Sequence, residues 1–119
     1  MKPLFLLDEH FPRWWRRVLN SLCSEAQFVW IDGPGAPPLG TKDPELLNWC
    51  EANEVLLLTN NRGSMPRHLS DHNSQGRHVP GIFKVRPDTN IHQVVFDLQL
   101  IVTAAWPSEF RDRIVRLPL

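Results

Sequence analysis

The sequence predicts an α/β fold, in which a three-layer α/β/α sandwich is built on a mainly parallel five-stranded sheet. Short apolar runs recur along the 119 residues, and polar or amphipathic segments separate them. Runs of about 4–8 apolar residues between polar boundaries are typical of strands buried on both faces. Strands that alternate with helices indicate βαβ units and a parallel sheet. We therefore expect one domain over residues 1–119, with right-handed crossovers.

The first part of the chain is predicted to hold two strands joined by a helix. An apolar run at residues 4–7 stops at two carboxylates, and a second run occupies residues 28–31. Between them, Pro12 suits the first turn of a helix that reaches about residue 24. Gly and Pro residues at 33–40 predict a loop. The apolar stripe of the helix consists of Phe11, Trp15, Val18, Leu19 and Leu22.

A helix start and the most apolar strand follow this loop. Asp43 suits the N-cap position, Pro44 the first turn and Glu45 the positive end of the helix dipole. Residues 55–59 then form the third predicted strand. The buried face of the helix should consist of Leu46, Leu47 and Cys50.

The second half is predicted to contain two more helices and two more strands. Residues 64–76 indicate a short helix with a loop, and residues 81–85 a fourth strand. Residues 90–105 follow the helical period closely. Residues 114–117 should form an edge strand, where Pro118 is tolerated. The first strand is expected to be central, with the second and third strands stacked on one side of it.

Composition limits the possible partners and location. With 13 basic and 13 acidic residues, the net charge neither requires nor excludes nucleic acid. Cys23 and Cys50 fit no metal-binding spacing, so free thiols in a reducing compartment are expected. The apolar stretch at the amino terminus is shorter than a signal peptide, and no window approaches the roughly 20 apolar residues of a membrane span. We therefore expect a cytoplasmic protein without membrane contact.

Acids at strand ends and helix starts are the first candidates for chemistry. In open parallel sheets ligands bind at the carboxyl ends of the strands. Asp8 is thus well placed to hold a divalent cation through oxygen ligands, although a turn or capping role would also explain it. Capping alone would explain Asp43, but a cap at this edge can also face the crevice. Glu9, which should point away from Asp8, and Asp32 are weaker candidates.

The end of the third strand carries amides and a guanidinium group where a metal site favours carboxylates. Asn61 can ligate a hard cation through its carbonyl oxygen, but it brings no charge. A tight turn is the alternative explanation for this segment. Arg62 and Arg67 could bind phosphate oxygens directly.

His68 and His72 are four residues apart and should share one helix face. This spacing can bind zinc, but the motif glutamate is missing and no third ligand is evident. The favoured interpretation is a polar, solvated helix face near the pocket. Together with Arg67, Arg77 and His78, this face could contact a polyanion.

A tryptophan beside arginines is typical of surfaces that bind single-stranded nucleic acid. Trp14 has such neighbours, whereas Trp15 is expected in the core. The neighbouring arginines are Arg13, Arg16 and Arg17. Nothing resembles a nucleophile triad or a phosphate-binding glycine loop. A flavodoxin-like or receiver-like module is disfavoured, because no later strand ends in the lysine of a receiver site.

The order and spacing of several motifs resemble the small PIN-like family of unknown function. They are Leu6-Leu7-Asp8-Glu9-x-x-Pro12, Asp43-x-Glu45-Leu46-Leu47, the run from Val55 to Arg62, and Val79-Pro80-Gly81-Ile82. The resemblance covers nearly the whole chain and implies a PIN-like fold with sheet order 3-2-1-4-5. PIN proteins are typically Mg²⁺- or Mn²⁺-dependent ribonucleases. Many are toxins of toxin–antitoxin pairs, and this branch is often encoded beside a small helix-turn-helix-type partner.

The resemblance also implies which residues form the site. Asp8 and Asp43 match the first two metal-binding acids of the family. Where the family usually has Thr-x-Asp-x-Asp, this chain has Thr59-Asn60-Asn61-Arg62-Gly63, so both acids are missing. A site with two carboxylates should bind Mg²⁺ or Mn²⁺ weakly. The expected catalytic residues are Asp8, Asp43 and Asn61, the metal ligands Asp8 and Asp43, and the RNA-binding residues Arg62, Arg67 and His68.

Two functions stay open at this point. The first is a metal-dependent ribonuclease or toxin with an eroded acidic site. The second is a catalytically impaired PIN-like protein that binds RNA or a protein. RNA and a small DNA-binding, antitoxin-like protein are the expected partners, and a homodimer stays open.

Overall fold

The computed structural model of the protein describes residues 2–60, 63–105 and 107–119, and it has the expected α/β architecture. All neighbouring strands are parallel. Helices pack on both faces of the sheet, which confirms a three-layer sandwich. The strands are β1 (Leu4–Leu7), β2 (Gln27–Trp30), β3 (Leu56–Thr59), β4 (Ile82–Val85) and β5 (Ile114–Leu117). The helices are α1 (Trp14–Leu22), α2 (Asp43–Asn53), α3 (Met65–Ser74) and α4 (Ile91–Ala104), and a 3-10 turn spans Pro107–Phe110.

Helices cover both faces of the sheet. Successive side chains of a strand point to opposite faces. Phe5 and Leu7 accordingly share a core with α1 and α4, whereas Leu6 shares a core with α2 and α3. On the α1 face, the ring centroid of Phe5 lies 5.6 Å from that of Phe28 and 5.7 Å from that of Phe83. This burial on both sides explains the near-continuous apolar run of β1.

The strands lie in the order β2-β1-β3-β4-β5, so the expected order 3-2-1-4-5 is wrong. β2 and β3 flank β1 instead of stacking on one side of it. If the crossovers through α1 and α2 had the same hand and stepped in the same direction along the sheet, the two helices would lie on the same face. Leu47 of α2 instead packs on the face opposite Leu19 of α1. The chain therefore returns past β1 to form β3 on its other side.

The crossover through α4 has the opposite hand to the crossover through α3. Both connections step one strand in the same direction along the sheet. However, α3 packs on the α2 face, whereas α4 packs beside α1 on the other face. The expectation of uniformly right-handed crossovers is therefore wrong for this sheet, and α1 and α4 form one helical layer.

Two boundaries differ from the sequence-based expectation around α1 and α2. α1 begins at Trp14 rather than Pro12, and Leu22 is exposed instead of joining the buried stripe. Lys42, rather than Asp43, occupies the N-cap of α2 and has extended backbone angles. Asp43 is the first helical residue.

The long helix α4 follows its predicted pattern and anchors the end of the chain. Asn90 caps it by accepting the N–H of His92 at 2.8 Å. Asp97 interrupts the apolar stripe and is buried, and its carboxylate accepts the backbone N–H of Leu119 at 2.9 Å. Gln93 donates to the other oxygen of Asp97 at 2.9 Å. Within the described residues, no helix is long and apolar enough to cross a membrane.

Both cysteine thiols are free and buried, which predicts low reactivity in the folded protein. Burial raises the pKa of Cys23 to about 11 and that of Cys50 to about 12. An ordinary thiol has a pKa of about 8.5, so we expect modification at pH 8 to be slower by about a hundredfold or more. Both cysteine thiols should react with a disulfide reagent only after the protein is unfolded in guanidinium, and two equivalents of reagent thiol per chain should then be released. Rapid labelling of either thiol in the native protein would contradict this burial.

Candidate functional site

The path of the chain reverses at the carboxyl edge of the sheet, between β1 and β3. β1 and β3 are neighbours, but their following helices pack on opposite faces of the sheet. In doubly wound sheets, ligands bind outside the strand ends at such a switch point. The residues that follow β1 and β3 therefore form the candidate site.

Asp8 directly follows β1 and is only 7% exposed. Its backbone N–H donates to the carbonyl of Leu58 at 3.0 Å, which extends the pairing of β1 with β3 by one residue. Thr59 Oγ1 donates to Asp8 Oδ2 at 2.8 Å, and this hydrogen bond is buried. A short hydroxyl hydrogen bond restrains the rotation of the carboxylate. Thr59 therefore orients Asp8 at the carboxyl edge of the sheet.

Asn60, which directly follows Thr59 in the chain, has a buried side-chain oxygen atom. Its Nδ2 donates to the backbone carbonyl of His10 at 3.0 Å, across the loop that follows β1. No hydrogen-bond donor among the described residues reaches its Oδ1. An unsatisfied buried acceptor costs about 1–3 kcal/mol. A hard cation or a ligand donor would satisfy this oxygen.

Asp43 reaches the same edge of the sheet through the start of α2. Glu9 Oε1 accepts the N–H of Gly40 at 3.1 Å and so ties the preceding loop to the end of β1. The Asp43 side chain is 13% exposed, and its Oδ2 lies 3.7 Å from Nε2 of His68 on α3. Asp43 therefore takes part in a contact between α2 and α3, and His68 is engaged there.

The remaining predicted site residues are divided between the described and undescribed parts of the chain. Arg67 is exposed on the first turn of α3, where a guanidinium group is accessible to a ligand. Asn61 and Arg62 lie outside the described residues, so their roles stay predictions from the sequence.

This edge of the sheet offers a small number of oxygen donors. Asp8 and Asp43 offer carboxylate oxygens, and Asn60 offers an amide oxygen, the donor types that Mg²⁺ uses. Among the described residues, no group of three or more His, Cys, Asp or Glu side chains is arranged to hold a metal ion. Few charged ligands imply low affinity. A dedicated high-affinity metal centre is not present in this part of the chain.

His72 is buried, so the prediction of a solvated histidine face is wrong. Its Nε2 lies 2.8 Å from Glu51 Oε1 of α2, and Arg77 Nε donates to the same oxygen at 3.1 Å. Since His68 contacts Asp43 and His72 contacts Glu51, the two imidazoles serve separate contacts between α2 and α3. Burial alone would raise the pKa of Glu51. The backbone N–H of His78, the charge of Arg77 and the contact with His72 outweigh it and lower that pKa.

Two hydrogen bonds of Asp112 connect the loop before β4 to the turn before β5. Asp112 Oδ2 lies 2.7 Å from His78 Nδ1, and Oδ1 accepts the N–H of Val79 at 2.9 Å. Burial would raise the pKa of Asp112, but the N–H of Val79, the contact with His78 and the charge of Arg111 outweigh it and lower that pKa. A carboxylate with a lowered pKa stabilises the fold above its unfolded-state pKa, and the stabilisation is lost as the pH falls through the folded-state value.

Asp112→Asn should therefore reduce the free energy of unfolding at pH 7 by about 0.5–1 kcal/mol. The backbone of Asp112 has a positive φ of 59°, which asparagine also adopts readily. As the pH falls from about 4 through the lowered folded-state pKa of Asp112, the difference from wild type should shrink, because Asp112 becomes protonated first in the unfolded state and then in the folded state. Urea denaturation at a series of pH values from 7 downward measures both effects. Asp71→Asn, at an exposed position of α3, is the matched control; an equal loss there would refute the assignment.

Sequence reasoning missed three polar residues that the structure places in key contacts. The sequence placed Thr59 only at the end of a strand and favoured Asn61 over Asn60 as the amide ligand, yet Thr59 and Asn60 both contact the Asp8 loop. The available signal was a polar residue that ends an apolar strand next to β1. Glu51, which joins α2 to α3 and Arg77, lies on a predicted helix and gave no such signal.

Comparison with known proteins identifies no relative. No protein-family model, no curated protein and no solved structure matches this chain.

Proposed function

We propose that this protein is a metal-dependent ribonuclease that holds Mg²⁺ or Mn²⁺ weakly at Asp8. The observation that carries the proposal is a buried carboxylate, oriented by Thr59, at the switch point between β1 and β3. Open α/β sheets bind their ligands at this place. A carboxylate there can hold a cation against an RNA phosphate.

The residues have distinct roles in this proposal. Asp8 supplies the principal negative ligand, Asp43 a second carboxylate and Asn60 the buried amide oxygen. When bound, the cation would polarise the phosphodiester and activate a water molecule. Thr59 keeps the Asp8 carboxylate in one orientation. Arg67, exposed on α3, would hold a phosphate.

The second candidate function is RNA binding without cleavage. The specific observation that favours it is the contact between Asp43 and His68, which commits one of the two expected metal ligands to a protein partner. The absence of a three-ligand group among the described residues points the same way. In this case the arginines would provide the affinity and Asp8 would have a structural role.

A role as the toxin of a toxin–antitoxin module is part of the proposal. It rests on the ordered motifs that resemble small PIN-like proteins. The strand order differs from the one that this resemblance implies, so the ribonuclease proposal rests on the chemistry of the site. Growth arrest on expression, relieved by a small DNA-binding protein encoded beside the gene, would support the toxin role.

Asn61→Asp separates the two candidate functions. In a ribonuclease, the added carboxylate should strengthen cation binding and raise Mn²⁺-dependent cleavage of a mixed RNA pool by about tenfold. In a protein that only binds RNA, the same negative charge should weaken binding. Cleavage is followed on gels with Mn²⁺ and with chelator, and binding by filter retention.

Asn90→Asp is the matched control for this experiment. It adds the same charge at the start of α4, where aspartate caps a helix as well as asparagine. Cleavage that persists in chelator would exclude the metal mechanism. If neither the wild type nor Asn61→Asp cleaves or binds RNA, both candidate functions fail.

A further inference from the structure

A groove between α1 and the end of β2 combines cationic and aromatic side chains. Its volume is about 660 Å³, and it is lined chiefly by Arg13, Trp14, Arg16, Arg17 and Trp30. No acidic residue is among its described lining. The groove therefore has the positive charge and flat apolar surfaces that suit an anionic, aromatic ligand.

Trp14 offers an open indole face on a firm support. It is 56% exposed, although it belongs to a helix whose neighbouring Trp15 is buried. The ring centroids of Trp14 and Trp15 are 6.1 Å apart, and Phe11 stacks against Trp15 at 4.8 Å. Because these aromatic contacts hold the start of α1 in the core, the Trp14 side chain loses little conformational entropy when a ligand stacks on it.

The arginines of the groove are available for anionic contacts. Arg13 and Arg17 are exposed, whereas the guanidinium carbon of Arg16 lies 5.1 Å from the ring centroid of Trp30. Within the described ranges, no ion pair engages any of these three guanidinium groups. Arg16 and Trp30 thus pack against each other on one side of the groove. Arg13 and Arg17 can reach the phosphates of a ligand.

The groove lies at the same edge of the sheet as Asp8. α1 starts six residues after Asp8, and Trp30 is the last residue of β2, the strand paired with β1. Gly33 folds the next turn against Trp30, since a Cβ there would lie 2.9 Å from the Trp30 carbonyl oxygen. A chain bound in the groove would therefore lie at the edge of the sheet that holds the candidate site.

We propose that this groove binds single-stranded nucleic acid, with one base stacked on Trp14 and adjacent phosphates on Arg13 and Arg17. An indole face can only receive a base that is unstacked, which favours a single strand over a duplex. The proposal concerns binding and needs neither a cation nor cleavage. It can therefore fail or succeed independently of the ribonuclease proposal.

The test measures fluorescence anisotropy of a labelled oligouridylate of about 12 nucleotides, a length within the range of single-strand sites. Titrations are made in chelator with the Asp8→Asn variant, so that cleavage cannot occur. Trp14→Ala should weaken binding about fivefold or more, whereas Trp14→Phe should retain most of it. Arg13→Gln and Arg17→Gln should each flatten the logarithmic salt dependence by about 0.7.

Two variants at exposed positions are the matched controls. Phe96→Ala removes an aromatic ring that is as exposed as Trp14, and Arg116→Gln removes a charge on β5. Both should bind like the parent. Unchanged binding by Trp14→Ala, or no binding by the parent, would overturn the proposal. Equal affinity for a polyglutamate of the same length would also overturn it and would indicate an acidic protein partner.

Discussion

Replacement of Asp8 by asparagine should reduce the proposed metal-dependent RNA cleavage by about a hundredfold or more, because it removes the principal charged ligand of the proposed cation site. Even residues outside the ligand set of a metal change affinity or activity by about 10–100-fold. Asparagine keeps the shape of the side chain and an oxygen that can accept from Thr59 Oγ1. The fold should therefore persist, which a melting curve checks.

Two companion variants sharpen this experiment. Thr59→Val removes the hydroxyl that orients Asp8 and should cause a smaller loss of cleavage. Asp71→Asn removes an exposed carboxylate of α3 and should cleave like the wild type. Rates are compared at saturating Mn²⁺ with proteins purified in parallel. An Asp8→Asn protein that cleaves at the wild-type rate would show that the activity resides elsewhere.

Replacement of Phe83 by alanine should lower the free energy of unfolding by about 3–5 kcal/mol, the range for a large aromatic removed from a core. Phe83 is fully buried on β4, and its ring lies 5.7 Å from Phe5 and 5.2 Å from Phe110. The ring thus joins β1 to the turn before β5. Its loss would leave a cavity on the α1 face of the sheet.

Phe96→Ala is the matched control for this core substitution. Phe96 is 56% exposed on α4, so its loss should change stability by about 0.5 kcal/mol or less. Urea denaturation of both variants gives the comparison. Similar losses for the two would contradict the placement of Phe83 at the centre of the core.

The periodicity of the sequence predicts the secondary structure well because burial dictates it. The stripe of α4 and the leucine run of β3 leave few alternatives, and the structure confirms both. The order of the strands could not be predicted from periodicity, because it depends on which face of the sheet each helix covers. In the structure β2 is an edge strand with uneven burial, since Gln27 is exposed and Trp30 is half-buried, and the apolar run at residues 28–31 did not indicate this position.

The candidate site could be predicted only in part. Asp8 could be identified as a candidate, because a carboxylate that directly follows a buried parallel strand must lie near the carboxyl edge of the sheet. The hydrogen bond from Thr59 and the contact of Asp43 with His68 link residues 51 and 25 positions apart. Such contacts depend on strand register and helix packing, which no short sequence motif contains. The histidine pair was misread for the same reason, since the partner of His72 lies on another helix.

Because α4 packs beside α1, its crossover leaves the other face of β5 without a helix of its own. β5 is also the last strand of the sheet, and Arg116 on that face is exposed. Arg113 precedes the strand and Pro118 follows it, and charges and proline at a sheet edge oppose pairing with another strand. Two copies that met edge to edge through β5 would each bring positive charge to the shared edge. The β5 edge of the sheet thus opposes fibrous aggregation through that strand.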